Sequence, residues 1–255
     1  MAEMMKGNEA IAEAAVRAGV KFYAGYPITP SSEIMEYLSW RLPEVGGSFV
    51  QAESELAGIN MVIGAAASGV RALTASSGPG ISLKQEGVST LSDEGLSAVV
   101  ITQVRYGNGL GTLLSAQCDY NRETRGGGHG DYRCLVFAPA SVQEFVDLMR
   151  PAYELAEKYR VVSVMMGEAP LGQMMEPVTL PDFVEAERTP WALNGHYTYK
   201  KIGIFQRDSM KEAVELVDKY NTIRENEQRW EDEGLEDADY VFVSYGVPGR
   251  STLGA

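Results

Sequence analysis

Polar residues that could do chemistry follow short apolar runs of the sequence at four places. They are Thr29, Glu55, Ser77 and Arg105. An arginine such as Arg105 is suited to gripping a small carboxylate through two parallel hydrogen bonds. Ser77 lies at a predicted strand-to-helix junction, where backbone N–H groups can face an anion. Because Glu55 is the only carboxyl group among these residues, we expect neither a pair of catalytic carboxylates nor a Ser-His-Asp triad.

Each of these features also has a purely structural interpretation. Pro27 and Pro30 stiffen the turn that contains Thr29, which can serve only to start the next helix. Glu55 lies in the expected first turn of a helix, where a carboxylate stabilises the helix macrodipole. Arg105 can equally form a surface ion pair. The residue types alone leave these alternatives open.

The segment after Glu55 is rich in the two smallest residue types. The glycine and alanine residues of this segment are Ala57, Gly58, Gly64, Ala65, Ala66, Ala67 and Gly69. A helix with so many small side chains lets another backbone or a flat ligand come close. We therefore expect this helix to be a contact face.

Short apolar runs alternate with segments of helical periodicity along the first part of the chain. The apolar runs predict strands at residues 20–23, 48–51, 70–75, 98–103, 134–138 and 161–166. The periodic segments predict helices at residues 8–18, 31–42, 54–68, 81–93 and 141–158. This alternation is typical of βαβ units and predicts an α/β fold with a doubly wound parallel sheet. Ligands of such a sheet bind beyond the carboxyl ends of its strands.

The chain is expected to divide into three parts. Residues 1–180 form the sheet domain, which includes a long glycine-rich loop at residues 106–133 that we expect to be functional or mobile. Residues 181–235 contain a connector, which is part of a tract with several prolines, and a charged helix at residues 207–233. Residues 236–255 begin a second domain.

The second domain is expected to be of the α/β type and incomplete. Its first element is a buried strand predicted at residues 238–245, followed by a candidate helix cap at Ser251. The chain stops at Ala255, just where this helix is expected to begin.

Charge and hydropathy exclude two kinds of partner. The 255 residues carry 35 acidic and 22 basic side chains, and the formal charge of -13 repels nucleic acid. The longest apolar stretch, at residues 58–70, is too short and too rich in glycine to cross a membrane. Residues 1–13 contain no apolar core of an export signal, so we expect a cytoplasmic protein.

Cysteine and histidine are too sparse to predict a metal centre. Cys118 and Cys134 are too far apart for a CxxC pair, and two thiols cannot hold an iron–sulfur cluster. His129 and His196 belong to no metal-binding pattern. We expect no metal site in this chain, so any redox chemistry requires an organic cofactor or a partner.

Six short sequences resemble one family in their order and spacing. They are KGNEA at 6–10, YPITP at 26–30, QAESE at 51–55, TASSGPG at 74–80, GGHGDY at 127–132 and LGQMMEP at 171–177. Together they make the chain similar to the α subunit of the 2-oxoacid:ferredoxin oxidoreductases, thiamine-diphosphate enzymes that oxidatively decarboxylate 2-oxoacids to acyl-CoA. The forms QAESE and GGGHGDY most resemble the 2-oxoisovalerate or 2-oxoglutarate type.

The resemblance implies that the sheet domain is the pyrimidine-binding domain for thiamine diphosphate. The family's glutamate falls on Glu55, which would hold the pyrimidine N1′ and favour the imino tautomer that removes the thiazolium C2 proton. Glu53, two residues earlier, would face elsewhere. The residues implied to bind the substrate carboxylate are Thr29 and Arg105, and those implied to bind the cofactor beside Glu55 are Pro30, Ser77 and Gly78.

The resemblance also implies partner chains. The sequence has no Gly-Asp-Gly followed by a distant Asn, so a β subunit would bind the diphosphate and Mg²⁺. Iron–sulfur clusters would lie on γ or δ ferredoxin-like subunits, which pass electrons to ferredoxin, with a 2-oxoacid and coenzyme A as reactants. Residues 236–255 would start a domain similar to the transketolase C-terminal domain.

One departure from the family leaves the substrate open. Many relatives have Arg-Gly-Gly-Pro-Ser-Thr-Gly after the fourth strand, whereas here a tyrosine, Tyr106, follows Arg105. An aryl 2-oxoacid such as phenylglyoxylate or indolepyruvate could stack on this ring. Two other readings remain: a non-oxidative thiamine-diphosphate decarboxylase subunit that releases an aldehyde, and a non-enzymatic α/β scaffold or anion-binding module in which Glu55 only caps a helix.

Overall fold

The alternating apolar and helical segments fold into a parallel sheet with helices on both faces. The computed structural model describes residues 2–193 and 209–254. The strands in these ranges are β1 (Glu3–Lys6), β2 (Phe22–Gly25), β3 (Ser48–Gln51), β4 (Ala72–Ser76), β5 (Ala98–Val104), β6 (Leu135–Phe137), β7 (Val162–Glu168) and β8 (Met175–Val178). The helices are α1 (Gly7–Arg17), α2 (Ser32–Glu44), α3 (Glu55–Ala67), α4 (Gly78–Asp93), α5 (Tyr120–Arg125), α6 (Val142–Tyr159), α7 (Ala169–Gln173), α8 (Ser209–Asn226) and α9 (Gly246–Leu253).

The main sheet confirms the predicted fold class. Its strands run in the order β3-β2-β4-β5-β7-β6, and every neighbouring pair is parallel. The chain passes from β2 to β3 on one side and then crosses to β4 on the other side of β2. This reversal leaves a crevice beyond the carboxyl ends of β2 and β4, which is the usual ligand position in a doubly wound sheet.

Two apolar layers enclose the sheet. On one face, Ile11, Leu38 and Phe145 from three helices pack in a cluster with Leu73 and Ile101 of the sheet. On the other face, α3 and α4 form a second cluster with alternate residues of the same strands. Every residue of β4, β5 and β7 is buried, as expected for strands covered on both faces.

The structure contains an antiparallel pair that the sequence analysis missed. β1 pairs with β8 in register from Glu3 opposite Val178 to Lys6 opposite Met175. The two strands are short and far apart in sequence, so no local turn signal joins them. Within the predicted loop at residues 106–133 the short helix α5 also forms.

The predicted strand at residues 238–245 was wrong. No strand is assigned there, and Tyr240, Phe242 and Val243 are 86%, 82% and 95% exposed. An apolar run becomes a strand only when a neighbouring strand takes up its backbone hydrogen bonds, and the described residues offer none. A helix does follow, but α9 begins at Gly246, five residues before the predicted cap at Ser251. The division of the chain into domains stays a prediction.

The predicted connector and charged helix are described in part, and the helix is shorter than predicted. The N–H of Val184 donates to Arg17 O, and the N–H of Leu193 donates to Ala67 O, so the connector runs along the ends of α1 and α3. The predicted helix at 207–233 appears as α8, which ends at Asn226, while residues 207 and 208 lie outside the described residues. None of the described helices is long and apolar enough to span a membrane.

Candidate functional site

The crevice beyond β2, β4 and β5 collects the residues that the sequence predicted for the site. Thr29 lies in the turn after β2, Ser77 directly follows β4, and Arg105 directly follows β5. These three strands are neighbours in the sheet. Glu55 is the first residue of α3, which packs against α4 at the same edge.

Arg105 and Thr29 are in direct contact. The guanidinium Nη1 donates a hydrogen bond of 2.8 Å to Thr29 O, and Nη2 donates one of 2.5 Å to Leu110 O. Arg105 is 9% exposed, whereas Thr29 is exposed to solvent. A guanidinium has five N–H donors. Arg105 therefore contacts the Thr29 turn with one of them and its own loop at Leu110 with another, and keeps others for a ligand.

Glu55 is buried at the amino end of α3, where a carboxylate is favoured by the helix macrodipole. The Ser54 hydroxyl caps the helix by accepting the Ala57 N–H at 3.2 Å, so Glu55 is not needed as a cap. Glu55 is 7% exposed, whereas Glu53 is exposed. The structure thus separates the two carboxyl groups, as predicted.

A glycine makes room for the Glu55 carboxyl group. A Cβ atom at Gly80 would lie 2.5 Å from Glu55 Oε1 and would also collide with Ser76 Oγ. The carboxyl group therefore packs directly on the backbone of α4, next to the Ser76 hydroxyl. Glu55 forms no ion pair of 4.0 Å or less with any described residue.

Several buried polar atoms at this edge of the sheet have no partner in the described structure. They are Ser76 Oγ, Ser77 Oγ and Arg105 Nε. A Cβ atom at Gly78, which has a φ of +43°, would lie 3.2 Å from Arg105 Nε, so this N–H lies beside the start of α4. Unpartnered buried polar groups are rare in native proteins. A polar ligand bound in the crevice would complete their hydrogen bonding.

A hydrogen-bond network that sequence reasoning missed holds the turn in place. Asn8 is fully buried, and its Nδ2 donates to Pro30 O at 2.7 Å and to Glu33 at 2.8 Å. Gln103 Nε2 donates to Asn8 Oδ1 at 3.0 Å, and Gln173 Nε2 donates to Glu33 at 3.1 Å. Asn8 and Gln173 both lie in sequences that carry the family resemblance. Their presence there was the signal that could have identified them.

Lys84 is a second residue that sequence reasoning missed. It lies on α4 and is fully buried, and its Nζ donates to Thr74 Oγ1. Burial lowers the pKa of Lys84 to about 7, and the charge of Glu55 acts in the opposite direction. No signal in the sequence marks it, because a lysine in a helical segment is usually a surface residue.

The glycine-rich segment after α5 folds back on α4. Ser89 Oγ donates to His129 O at 2.7 Å, and the Tyr132 hydroxyl donates to Gln85 Oε1 at 2.9 Å while accepting the Gly128 N–H at 3.0 Å. These contacts lie along the side of α4 away from Gly80. Tyr106, by contrast, is 55% exposed beside Arg105.

The small residues of α3 serve two faces. A Cβ atom at Gly58 would be 3.3 Å from Gly25 Cα, so this glycine lets the helix approach β2 closely. Gly64 has nothing within 4 Å of its Cβ direction, and Leu56 and Met61 are 43% and 37% exposed. The predicted contact with another backbone is therefore, in part, a contact with β2 of the same chain. The exposed Leu56 and Met61 form an apolar face on the solvent side of α3.

The site residues fit the polar edge of an aminopyrimidine ring. Such an edge offers ring nitrogens and an amino group, which pair with a carboxyl group and hydroxyl groups. Glu55 and the unpartnered hydroxyls of Ser76 and Ser77 supply this set beside glycine backbone. In contrast, no group of three His, Cys, Asp or Glu residues in the described ranges could hold a metal ion.

Comparisons with known proteins agree with this chemistry. Residues 13–238 match the family model described as "Pyruvate flavodoxin/ferredoxin oxidoreductase, thiamine diP-bdg". The chain is 50% identical to "Ketoisovalerate oxidoreductase subunit VorB" of Methanothermobacter thermautotrophicus, covering 97% of this chain and 72% of that protein. It is 37% identical to "2-oxoglutarate synthase subunit KorA" of Methanocaldococcus jannaschii, covering 98% of this chain and 76% of that protein.

A solved structure has the same fold. The 2-oxoglutarate:ferredoxin oxidoreductase from Magnetococcus marinus, solved with 2-oxoglutarate, coenzyme A and succinyl-CoA bound, matches with a TM-score of 0.83 and 26% identity. The match covers 92% of this chain and 47% of that chain, so the present chain spans about half the length of the solved one. Sequence and fold therefore show that the chain belongs to the pyruvate flavodoxin/ferredoxin oxidoreductase family and matches its thiamine-diphosphate-binding domain.

Proposed function

We propose that this chain is the subunit of a 2-oxoacid:ferredoxin oxidoreductase that holds the pyrimidine ring of thiamine diphosphate and the carboxylate of the substrate. The supporting observation is the packing of the buried Glu55 carboxyl group against Gly80, beside the unpartnered Ser76 hydroxyl. A scaffold protein would gain nothing from burying these polar groups without partners.

Glu55 is the acid that acts on the cofactor. When bound, thiamine diphosphate supplies the nucleophilic carbon that attacks the 2-oxo group. Glu55 holds a proton at the pyrimidine N1′, which requires a carboxyl group shielded from water. Pro30, Ser77 and Gly78 line the same crevice and would bind the ring through backbone and hydroxyl groups.

Arg105 and Thr29 bind and orient the 2-oxoacid. The guanidinium already contacts the Thr29 turn, and its remaining N–H groups neutralise the substrate carboxylate. Because Arg105 is held by Thr29 O and Leu110 O, it does not have to be ordered again when the substrate arrives. The network from Asn8 to Pro30 O keeps the turn in the same position.

The rest of the active site belongs to partner chains in this proposal. The named relatives are subunits of oxidoreductases, which supports an assembly of several chains. A β subunit provides the diphosphate and Mg²⁺ site, and ferredoxin-like subunits carry iron–sulfur clusters that reduce ferredoxin. The exposed Leu56 and Met61 on α3 form an apolar face suited to contact with the β subunit.

We infer that the substrate is a branched-chain 2-oxoacid such as 2-oxoisovalerate. The relatives named for ketoisovalerate share 49–50% identity with this chain, whereas those named for 2-oxoglutarate share 35–43%. A substrate panel on the complex with its partner chains tests this choice. Preference for 2-oxoglutarate or for an aryl 2-oxoacid would overturn it.

Replacing Glu55 tests the proposed activity. In the complex, Glu55→Gln keeps the shape of the side chain but removes its acid, so viologen reduction by a 2-oxoacid with coenzyme A should fall by about 10²-fold or more. The matched control is Glu53→Gln. Because Glu53 is exposed and lies two residues earlier, this variant should leave viologen reduction unchanged. If Glu55→Gln retains activity within a few-fold of the wild type, Glu55 is not the acid. Release of an aldehyde without electron transfer would instead indicate a non-oxidative decarboxylase.

A further inference from the structure

Gln117 lies near the end of the loop that begins at Arg105. Its Nε2 donates to Glu168 Oε1 at 2.8 Å and to Tyr245 O at 2.9 Å. Glu168 is the last residue of β7, opposite Val104 of β5, so it lies at the same edge of the sheet as Arg105. Tyr245 directly precedes α9. One amide group therefore joins the loop, the main sheet and the C-terminal helix.

The loop after Arg105 folds back on itself through hydrogen bonds to its backbone. The Tyr106 N–H donates to Leu114 O at 2.9 Å. Arg105 itself takes part twice, because its Nη2 donates to Leu110 O and its backbone O accepts a hydrogen bond of 3.2 Å from Cys118 Sγ. The position of the guanidinium group therefore depends on the conformation of this loop.

The side chains of this loop contribute little to its order. Leu110, Leu113 and Leu114 are each more than half exposed in this chain. A segment with few buried apolar contacts opens easily unless polar contacts hold it. The contacts at the end of the loop, where Gln117 lies, are therefore the ones that fix its conformation.

Glu168 holds both Gln117 and the start of α9. Its carboxyl group is buried. Burial raises the pKa of Glu168, and the hydrogen bonds from Gln117 and from the backbone of Val247 lower it in part. Gly246 has a φ of +62°, and a Cβ atom there would collide with Glu168 Oε1. The glycine therefore allows the backbone at the start of α9 to pack directly on this carboxyl group.

The ring of Tyr245 makes a second contact with the end of the loop. It stacks on the ring of Tyr120, with the two centroids 5.5 Å apart. Tyr120 begins α5, three residues after Gln117. The Tyr245 hydroxyl group is buried without a hydrogen-bond partner among the described residues, so the ring makes this contact. Residues 245–247 thus hold the loop through one amide group and one aromatic ring.

We propose that Gln117 is a positioning residue for Arg105, and that it holds the loop in place only while residues 245–247 pack on Glu168. The proposal rests on the proposed function, in which Arg105 binds the carboxylate of the 2-oxoacid. In it, Gln117 and residues 245–247 do not touch the substrate. They keep the loop ordered before the substrate arrives, so that binding does not carry the entropic cost of ordering it.

Gly246→Ala tests the proposal at a position outside the substrate site. The new Cβ would collide with Glu168, so the start of α9 should leave this carboxyl group and release Gln117. In the complex with its partner chains, KM for the 2-oxoacid should rise by about 10-fold while kcat stays within about threefold. Gly249→Ala is the control, because it changes a glycine of the same helix whose Cβ direction meets only ordinary contacts. It should keep the wild-type KM.

A second variant shows whether the two positions act through one contact. Gln117→Ala removes the amide group that joins the loop to Glu168 and should also raise KM by about 10-fold. The double variant with Gly246→Ala should have a KM within about twofold of either single variant, because both changes break the same contact. Tyr245→Phe keeps the ring and should keep the wild-type KM, since its hydroxyl group has no partner among the described residues.

Amide hydrogen exchange measures the order of the loop directly. The N–H groups of Tyr106 and Thr112 form hydrogen bonds within the loop. In the complex without substrate, both should exchange about 10-fold faster in Gly246→Ala and in Gln117→Ala than in the wild type. Both should exchange at the wild-type rate in Gly249→Ala. A merely structural role of α9 would not change exchange at these two residues selectively.

Several results would overturn the proposal. They are a wild-type KM in Gly246→Ala, a fall in kcat at unchanged KM, equal effects of Gly246→Ala and Gly249→Ala, and increases in KM that multiply in the double variant. If Gly246→Ala does not assemble into the complex, KM and exchange in Gln117→Ala decide by the same criteria. An active Glu55→Gln complex would instead remove the proposed function, whereas an inactive one would leave it standing even if Gly246→Ala behaves like the wild type.

Discussion

At the scale of single residues, the candidate site depends on which polar side chains the fold buries at the edge of the sheet. No single sequence motif shows this burial. Thr29, Glu55 and Arg105 could be predicted because each follows a strand whose end could be located from the sequence. Lys84 could not be, because a lysine in a helical segment is usually a surface residue. Its burial depends on how closely α4 packs on β4 and α3, where a Cβ atom at Gly80 would meet Ser76 and one at Gly87 would meet Ile59.

Gly80→Ala tests whether the Glu55 carboxyl group must pack on the backbone of α4. The new Cβ would collide with the ends of two flexible side chains, Glu55 and Ser76, so we expect them to move while the fold is kept. Affinity for thiamine diphosphate and kcat of the complex should both fall by about 10-fold or more. Calorimetric titration and steady-state kinetics measure the two effects.

Gly64→Ala is the matched control for the Gly80→Ala variant. Gly64 lies inside α3 with open space around its Cβ direction, so alanine should stabilise the helix by about 0.5–1 kcal/mol and leave the position of the Glu55 carboxyl group unchanged. Equal activity in Gly80→Ala and Gly64→Ala would mean that the position of the Glu55 carboxyl group is not critical.

Elements of the sheet domain were largely predictable, and the failures have a common cause. The six parallel strands lie within two residues of their predicted bounds because βαβ units carry local periodic signals. β1 and β8 were missed because their pairing joins distant segments. The apolar run at 238–245 was mistaken for a strand because the sequence does not show whether a neighbouring strand exists. Pairing over long distances in sequence was therefore the missing information.

The packing of α1 against α2 should depend on pH through Glu13. This carboxyl group accepts hydrogen bonds from Arg17, Arg41 and Tyr37. Burial alone would raise its pKa, but the bonds from Arg41 and Arg17 outweigh burial and lower it below the usual value. A lowered pKa stabilises the folded state above the unfolded value of 4.5, and this stability is lost as the pH falls through the folded value.

Glu13→Gln removes this contribution. The free energy of unfolding at pH 7 should fall by about 3 kcal/mol, since two arginines lose a buried partner. The difference from the wild type should shrink below pH 4.5, where the wild-type carboxyl group also becomes neutral. Denaturant unfolding of the complex at both pH values measures this, with the exposed Glu53→Gln as a control. An equal loss at both pH values would contradict the electrostatic account.

In the function proposed above, the molecule as a whole presents one half of a catalytic crevice. Its described residues bring an acid, an arginine and hydroxyl groups to one edge of a parallel sheet, and they leave polar atoms there without partners. The relatives that it resembles are named as subunits, which agrees with a ligand held between chains. The account therefore depends on where thiamine diphosphate sits when the complex is assembled.

The most direct test is an experimental structure of the assembled complex with thiamine diphosphate bound. We expect a Glu55 carboxyl oxygen within about 3 Å of the pyrimidine N1′, with the ring beside Gly78 and Ser77 and the diphosphate on the partner subunit. A pyrimidine ring seated far from Glu55, or a complex with no such ring between the two chains, would contradict the central claim.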